Sequence, residues 1–321
     1  MMKRNFILAV ISIPMVLLVT FPAFAAFPEK AIQIIKPYAA GGETDMILRI
    51  IASAAAPHFG QPVVIVNKTG GGGSVGMQYA VKSKADGYTI ASGSLATLLL
   101  HPLMDKLPFS HKDFIPVGQY GISQIGFFVK EDAPWKTLKD FLAYAKEHPK
   151  EIKYGSAGAG TIGHLLMESL CEAAGGIKMT HIPFEGTAPA LTSLVGGHIH
   201  ITAADVPPAL PLIEGKKIRP IVITNTERVK TLAAVPALPE LGYKGVDVWK
   251  ALLVPKGTAP EVVKHLETAL EATLKDNACT ALLAKIGQEP SFIGREKFTA
   301  KMLEDEKWLA DIVSKLGLGR K

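Results

Sequence analysis

From Ala31 onward the chain alternates short β-branched runs with segments whose apolar residues recur at helical spacing. The pattern predicts strands over 31–36, 63–67, 88–92, 152–155, 179–183 and 199–202, and helices over 44–56, 75–82, 163–174 and 188–195. Such alternation predicts an α/β protein built on parallel sheets, whose ligands sit in the loops that lead from strand into helix. Two uninterrupted sets occur, one before about Phe114 and one over 134–222. Residues 115–130 and 245–255 are extended without a helical period, and amphipathic helices fill 259–316. A chain that leaves one lobe, builds a second and returns crosses twice. The expected division is therefore 26–123 with 248–321 in one lobe and 124–247 in the other, joined by a two-strand hinge able to open and shut.

Composition sharpens this picture at one end. Lys3 and Arg4 precede an apolar run from Phe6 to Val19, and Ala23-Phe24-Ala25 fits a small-residue cleavage site. The run is too short to span a bilayer comfortably and Pro14 interrupts it, so residues 1–25 read as a signal peptide cut after Ala25. A soluble chain in an exported compartment, most simply a bacterial periplasm, is expected. The formal charge of +6 includes Lys3 and Arg4, and the remaining basic residues are scattered among acidic ones, which gives no footprint for nucleic acid. The two cysteines, Cys171 and Cys279, fall in helical segments and read as buried free thiols, with a bridge as the alternative. The nine histidines are dispersed and no CxxC or HExxH occurs, so neither a metal nor a cofactor is expected.

Four loops carry candidate chemistry. In the first, Tyr38 to Asp45, Gly41 and Gly42 let backbone N–H groups face an anion while Thr44 or Asp45 caps the following helix; a tight, well-capped turn is the plain alternative. The second, Gly70 to Gly76, matches two patterns at once. Gly71, Gly73 and Gly76 fit the dinucleotide fingerprint, but Ser92-Gly93-Ser94 stands where the acidic residue belongs. Gly72-Gly73-Ser74-Val75-Gly76 fits a nucleophile elbow, so an exported serine hydrolase using Ser74 with Asp205 and His265 is the competing class. The third loop, Ser156 to His164, again has dinucleotide spacing, with Glu185 after the next strand, although an exported protein meets little free dinucleotide. Its other reading is a second anion cradle, in which Ser156, Ala157, Thr161 and His164 face the first loop across a cleft. The fourth, Pro183 to Ala190, offers Gly186 and Thr187, and Asp205 follows the next strand at the rim.

With these loops laid out, the sequence resembles the substrate-binding proteins of the tripartite tricarboxylate transporter family, the Bug-type receptors. The resemblance runs nearly the whole length after residue 25. It rests on Pro37 to Asp45 with Arg49, Asn67 with the glycine run, Asp86-Gly87-Tyr88-Thr89, Gly155 to Leu165, and His181-Ile182-Pro183-Phe184 with Gly186. Ile218-Arg219-Pro220, Glu240-Leu241-Gly242 and Pro255 to Pro260 continue it. The resemblance implies a two-lobed periplasmic binding protein of the type II fold that closes over a small carboxylate, without ATP or catalysis, and passes it to a membrane permease; the receptor is expected to be a monomer. Carried over by position, the ligand-contacting residues are Tyr38, Gly41, Gly42, Glu43, Thr44 and Asp45 in one lobe, with Ser94 and Thr97 beside them. Ser156, Ala157, Thr161, His164, Gly186, Thr187 and Asp205 complete the set. Glu43 and Glu185 depart from the family pattern, and a carboxylate in the cradle either repels an acidic ligand or pairs with a donor on it; both pointing into water is the alternative.

Overall fold

Residues 27–319 are described in the computed structural model; the expected signal peptide lies outside them. The first lobe opens with β1 (Ile32–Lys36), α1 (Glu43–Phe59), β2 (Val63–Asn67), α2 (Ser74–Val81), β3 (Thr89–Ser94) and the short α3 (His101–Met104). β4 (Phe114–Ser123) then runs almost directly into β5 (Ile125–Lys130), with Gln124 alone between them. The second lobe adds α4 (Leu138–Glu147), β6 (Lys153–Ser156), α5 (Ile162–Ala173), β7 (Thr180–Pro183), α6 (Thr187–Val195), β8 (Ile201–Asp205), α7 (Val206–Glu214) and β9 (Ile218–Ile223). β10 (Val248–Pro255) returns to the first lobe, followed by α8 (Pro260–Lys275), α9 (Asn277–Lys285), β11 (Ile293–Gly294) and α10 (Arg295–Lys315).

Two sheets result, one in the order β11-β4-β10-β3-β1-β2 and the other β7-β6-β8-β5-β9. Neither is purely parallel, which corrects the expectation from the strand–helix alternation. β1 lies parallel to β2 and β3, and β6 parallel to β7 and β8, as βαβ crossovers require. The connecting strands run the other way: β10 is antiparallel to β3 and β4, and β5 to β8 and β9. β4 carries the chain out of the first lobe and β10 carries it back, so side by side they must point in opposite directions.

The two crossings are tied together by one buried side chain. Asn225, 1% exposed, donates from Nδ2 to the Ser123 carbonyl at 3.0 Å and accepts from the Ile125 N–H at 3.3 Å. It also reaches Asp247 Oδ1 at 3.3 Å, next to the start of β10. A contiguous apolar cluster runs beside this hinge, from Met77 and Leu98 through Trp249 to Phe127 and Leu165. Burial of such surface is the main favourable term in holding the lobes together.

The glycine run before α2 answers to packing. Gly73 has φ +101°, and a Cβ there would lie 2.9 Å from Thr97 Cγ2 and 3.3 Å from Tyr38 Cζ. A Cβ on Gly76 would meet the Lys68 carbonyl and Pro37 Cα at 2.7 Å. The small residues let α2 seat against the first loop. Cys171 in α5 and Cys279 in α9 are both buried free thiols, and burial pushes them up to about 12 and about 11 respectively.

Candidate functional site

The first loop is built around a buried charge pair. Lys36, at the end of β1, is 1% exposed, and its ammonium donates to the carbonyls of Tyr38 and Ala39. Asp45 stands 3.6 Å from the same ammonium. Its Oδ2 accepts from the Gly41 N–H at 3.0 Å and from Arg49 Nε at 2.9 Å. Asn67, from the end of β2, donates to the Tyr38 carbonyl at 2.8 Å. The Arg49 guanidinium holds the Asp45 carboxyl far below the usual carboxylate range, and burial lowers the Lys36 ammonium despite its partner. In a trans peptide the N–H opposes the C=O. With the Tyr38 and Ala39 carbonyls drawn toward Lys36, the N–H groups of Ala39 and Ala40 turn outward, on residues that are themselves exposed.

This arrangement corrects the expected cap. α1 starts at Glu43 with Gly42 as N-cap and no side-chain cap, so neither Thr44 nor Asp45 fills that role. Asp45 faces inward, reaching back over the helix start as a brace for the loop.

The third loop reaches a similar result with uncharged groups. Ser156, fully buried, donates from Oγ to the Gly158 carbonyl at 2.9 Å and shares a 2.8 Å hydrogen bond with His181 Nε2. Thr161 Oγ1 donates to the same carbonyl at 2.7 Å, and the Gly160 N–H donates to His164 Nδ1 at 3.0 Å. The two imidazoles stack at 4.1 Å, and the Tyr154 ring lies 4.7 Å from that of His181. Drawing the Gly158 carbonyl inward turns the exposed Ala159 N–H outward. Ser156, Thr161 and His164 therefore brace the loop through their side chains. Burial lowers both histidines, His181 to about 4 with the nearby His164 adding to the effect.

Both loops sit at the junction of the lobes. Gly160 lies against Met104 of α3, where a Cβ would come within 2.4 Å of the methionine methyl. Asp205 ends β8, accepts from Thr187 Oγ1 at 2.9 Å, and lies near Glu43 and Lys250 of the other lobe; burial first and the Glu43 charge second raise its carboxyl. Gly186 and Thr187 form the start of α6. Glu185 is exposed. Glu43 instead turns inward. Its Oε2 accepts from Lys250 Nζ at 2.9 Å and from Ser123 Oγ at 3.4 Å, and its Oε1 accepts from Gln288 Nε2 at 2.8 Å.

A cavity of about 110 Å³ opens beside this cluster, lined among others by Tyr38, Thr44, Ser94, Tyr120, Ser123 and Lys250. Tyr120 is the extra residue of a β-bulge, since Lys250 pairs with Gly121 and Ala251 with Gln119. Its hydroxyl meets Ser92 Oγ at 2.7 Å. The Tyr38 hydroxyl is raised to about 12 by burial, with Ser94 opposing the shift. Thr97 is buried and closes the turn by accepting from the Ser94 N–H at 2.9 Å. A larger cavity of about 300 Å³ borders the hinge near Gln119, Asn225 and Asp247, and none of the residues singled out in the sequence lines it.

The proposed hydrolytic set is not brought together. Ser74 begins α2 in the first lobe, Asp205 belongs to the second lobe and accepts from Thr187, and His265 in α8 is bonded to the Phe59 carbonyl at 3.1 Å. Lys250, Tyr120, Ser123 and Gln288 escaped the sequence reading. A lysine within Val248-Trp249-Lys250-Ala251-Leu252-Leu253 was the one available signal, because an ammonium inside an unbroken apolar strand needs a partner.

The paired sheets, the two-strand hinge and the loops at their junction define a two-lobed binding protein of the type II fold. The chain matches the tripartite tricarboxylate transporter family receptor, TctC, over residues 47–318, and it belongs to that family. It is 33% identical over 296 residues to the UPF0065 protein in the gbd 5′ region of Cupriavidus necator, covering 92% of this chain and 90% of the relative. Among solved structures, a TctC solute-binding protein from Polaromonas superposes with a TM-score of 0.83 at 31% identity, covering 90% of this chain and 99% of that one. An R. palustris protein solved with adipate gives 0.75 at 29% identity, covering 91% and 99%. MatC from Rhodopseudomonas palustris, solved with malate, gives 0.69 at 26%, covering 89% and 100%. The family is one of periplasmic solute-binding receptors and not of enzymes.

Proposed function

We propose that this receptor captures a small organic acid between its lobes and delivers it to the membrane permease of a tripartite tricarboxylate-type transporter. Residues 26–123 with 248–321 and residues 124–247 move as the two halves, after export and cleavage behind Ala25. The acid is held by the outward N–H groups of the first and third loops and by hydroxyls of Tyr38, Thr44, Ser94 and Ser123, with Gly41, Gly42, Ala157, Gly186 and Thr187 at the rim. The observation that carries this reading is the pair of loops at the lobe junction whose carbonyls are tied inward, by Lys36 on one side and by Ser156 and Thr161 on the other. An oxyanion needs donors, and tying these carbonyls inward leaves the following N–H groups free to donate. Adipate and malate in relatives support a carboxylate as the ligand class. Ligand binding favours the closed form through contacts that only the closed form makes.

Thermal unfolding in the presence of aliphatic and aromatic mono-, di- and tricarboxylates and amino acids tests this. A ligand at one hundred times its Kd adds about 2.7 kcal/mol, a rise of several degrees in Tm. A flat response across the whole panel would reject the reading.

A further inference from the structure

The charged groups at the lobe junction carry the argument one step further, resting on the receptor reading above. Lys250 is the one charged residue among the described residues that line the small cavity, and it is 4% exposed. Among the described residues its hydrogen-bond acceptor is Glu43, which is held in turn by Gln288 and Ser123. The ammonium that would meet a ligand carboxylate is thus already neutralised by the protein's own carboxylate. Separating the two leaves a buried charge without its partner, which is costly. Asp205 brings a second carboxylate from the opposite lobe. Lys250 and Glu43 compensate each other, and Asp205, bonded to the neutral Thr187 hydroxyl, adds an acceptor and no cation to that side of the junction.

A solute with one carboxylate can still place it on outward backbone amides and the hydroxyls of Tyr38, Ser94 and Ser123. A second carboxylate brought to Lys250 comes up against Glu43, which holds that ammonium from behind the cavity lining, and like charges at such range repel. A group that donates hydrogen bonds meets acceptors there instead. The cavity's volume corresponds to about four waters at ~30 Å³ each, so it admits the end of a short chain. We infer that Glu43 makes this cleft selective for a short acid bearing an ammonium or amide group in place of a second carboxylate. Specificity of this kind comes from the repulsive element as much as from the attractive one.

The test is calorimetric titration of the mature protein with chain-matched solutes: succinate against succinamate and 4-aminobutanoate, and glutarate against glutaramate and 5-aminopentanoate. The expected result is at least tenfold tighter binding of an amide or ammonium member than of its dicarboxylate. Glu43→Gln should bring that ratio below about threefold or invert it, and Asp205→Asn, which removes the other carboxyl group while leaving the Glu43–Lys250 pair in place, should shift it in the same direction. Equal or tighter binding of the dicarboxylates by the unmodified protein would overturn the inference while leaving the receptor reading standing, as would an unchanged ratio in both variants. No binding by any member, together with a flat thermal panel, would overturn both.

Discussion

The first and third loops arrive at the same backbone outcome by different chemistry. Around Tyr38 to Gly42 the brace is ionic, a buried ammonium and carboxylate with an arginine behind them. Around Ser156 to Thr161 it is made of hydroxyls and two stacked, uncharged imidazoles. The contrast teaches that outward-facing amides require only that the carbonyls be occupied, and that the occupant decides how the loop responds to substitution and to pH. An ionic brace resists mild acid but tolerates no loss of a partner. A neutral one loses less on truncation but is exposed to histidine protonation.

The sharpest way to break this comparison is Asp45→Ala. Lys36 would then be buried without its counter-ion, a loss of about 3–5 kcal/mol in urea unfolding. A loss below 1 kcal/mol would mean that the pair does not hold the loop. Ser156→Ala removes its hydrogen bonds to Gly158 and His181 and should cost less, about 1–3 kcal/mol in the same assay, with faster amide exchange confined to 157–161. Uniform exchange across both loops would show that the braces are not separate.

The smallest effect expected is the response to pH, because His181 is only half-buried and solvent screens its charge. Folding lowers His181 from 6.5 to about 4, so below pH 6.5 the unfolded chain takes up protons that the folded one refuses, and stability falls between about 6.5 and 4. Asp45 has the same sign in a lower window: its depressed pKa contributes stability that is fully present above about 3.8 and is lost only below it. Exchange measured across this range should therefore quicken at 157–161 and stay level at 38–42. The reverse order would refute the assignment of charged and neutral braces.

Much of this was legible in the chain, and the gaps have physical causes. The strand–helix alternation located both loops, and Gly41, Gly42, Gly158 and Gly160 marked where the backbone turns. Which side chains would face the ligand was harder to read. Ser156 and Thr161 look the same in sequence whether they donate to a solute or to the Gly158 carbonyl, and only the fold decides. Lys36, at the end of an apolar strand, reads as a solvated terminus until α1 brings Asp45 beside it. Gln288 and Asn225 carry no local signal, because their partners lie 245 and 102 residues away in the chain. The antiparallel connecting strands were missed for a related reason: strand direction depends on the route between lobes, which local periodicity does not encode.

The ion pair between Glu43 and Lys250 bears also on how a solute finds the protein. With the cavity's ammonium already compensated, any long-range pull on an acidic solute comes from the basic surface and not from the cleft. Added salt should then slow capture only by screening that surface, while the contacts made inside the cleft stay as they are.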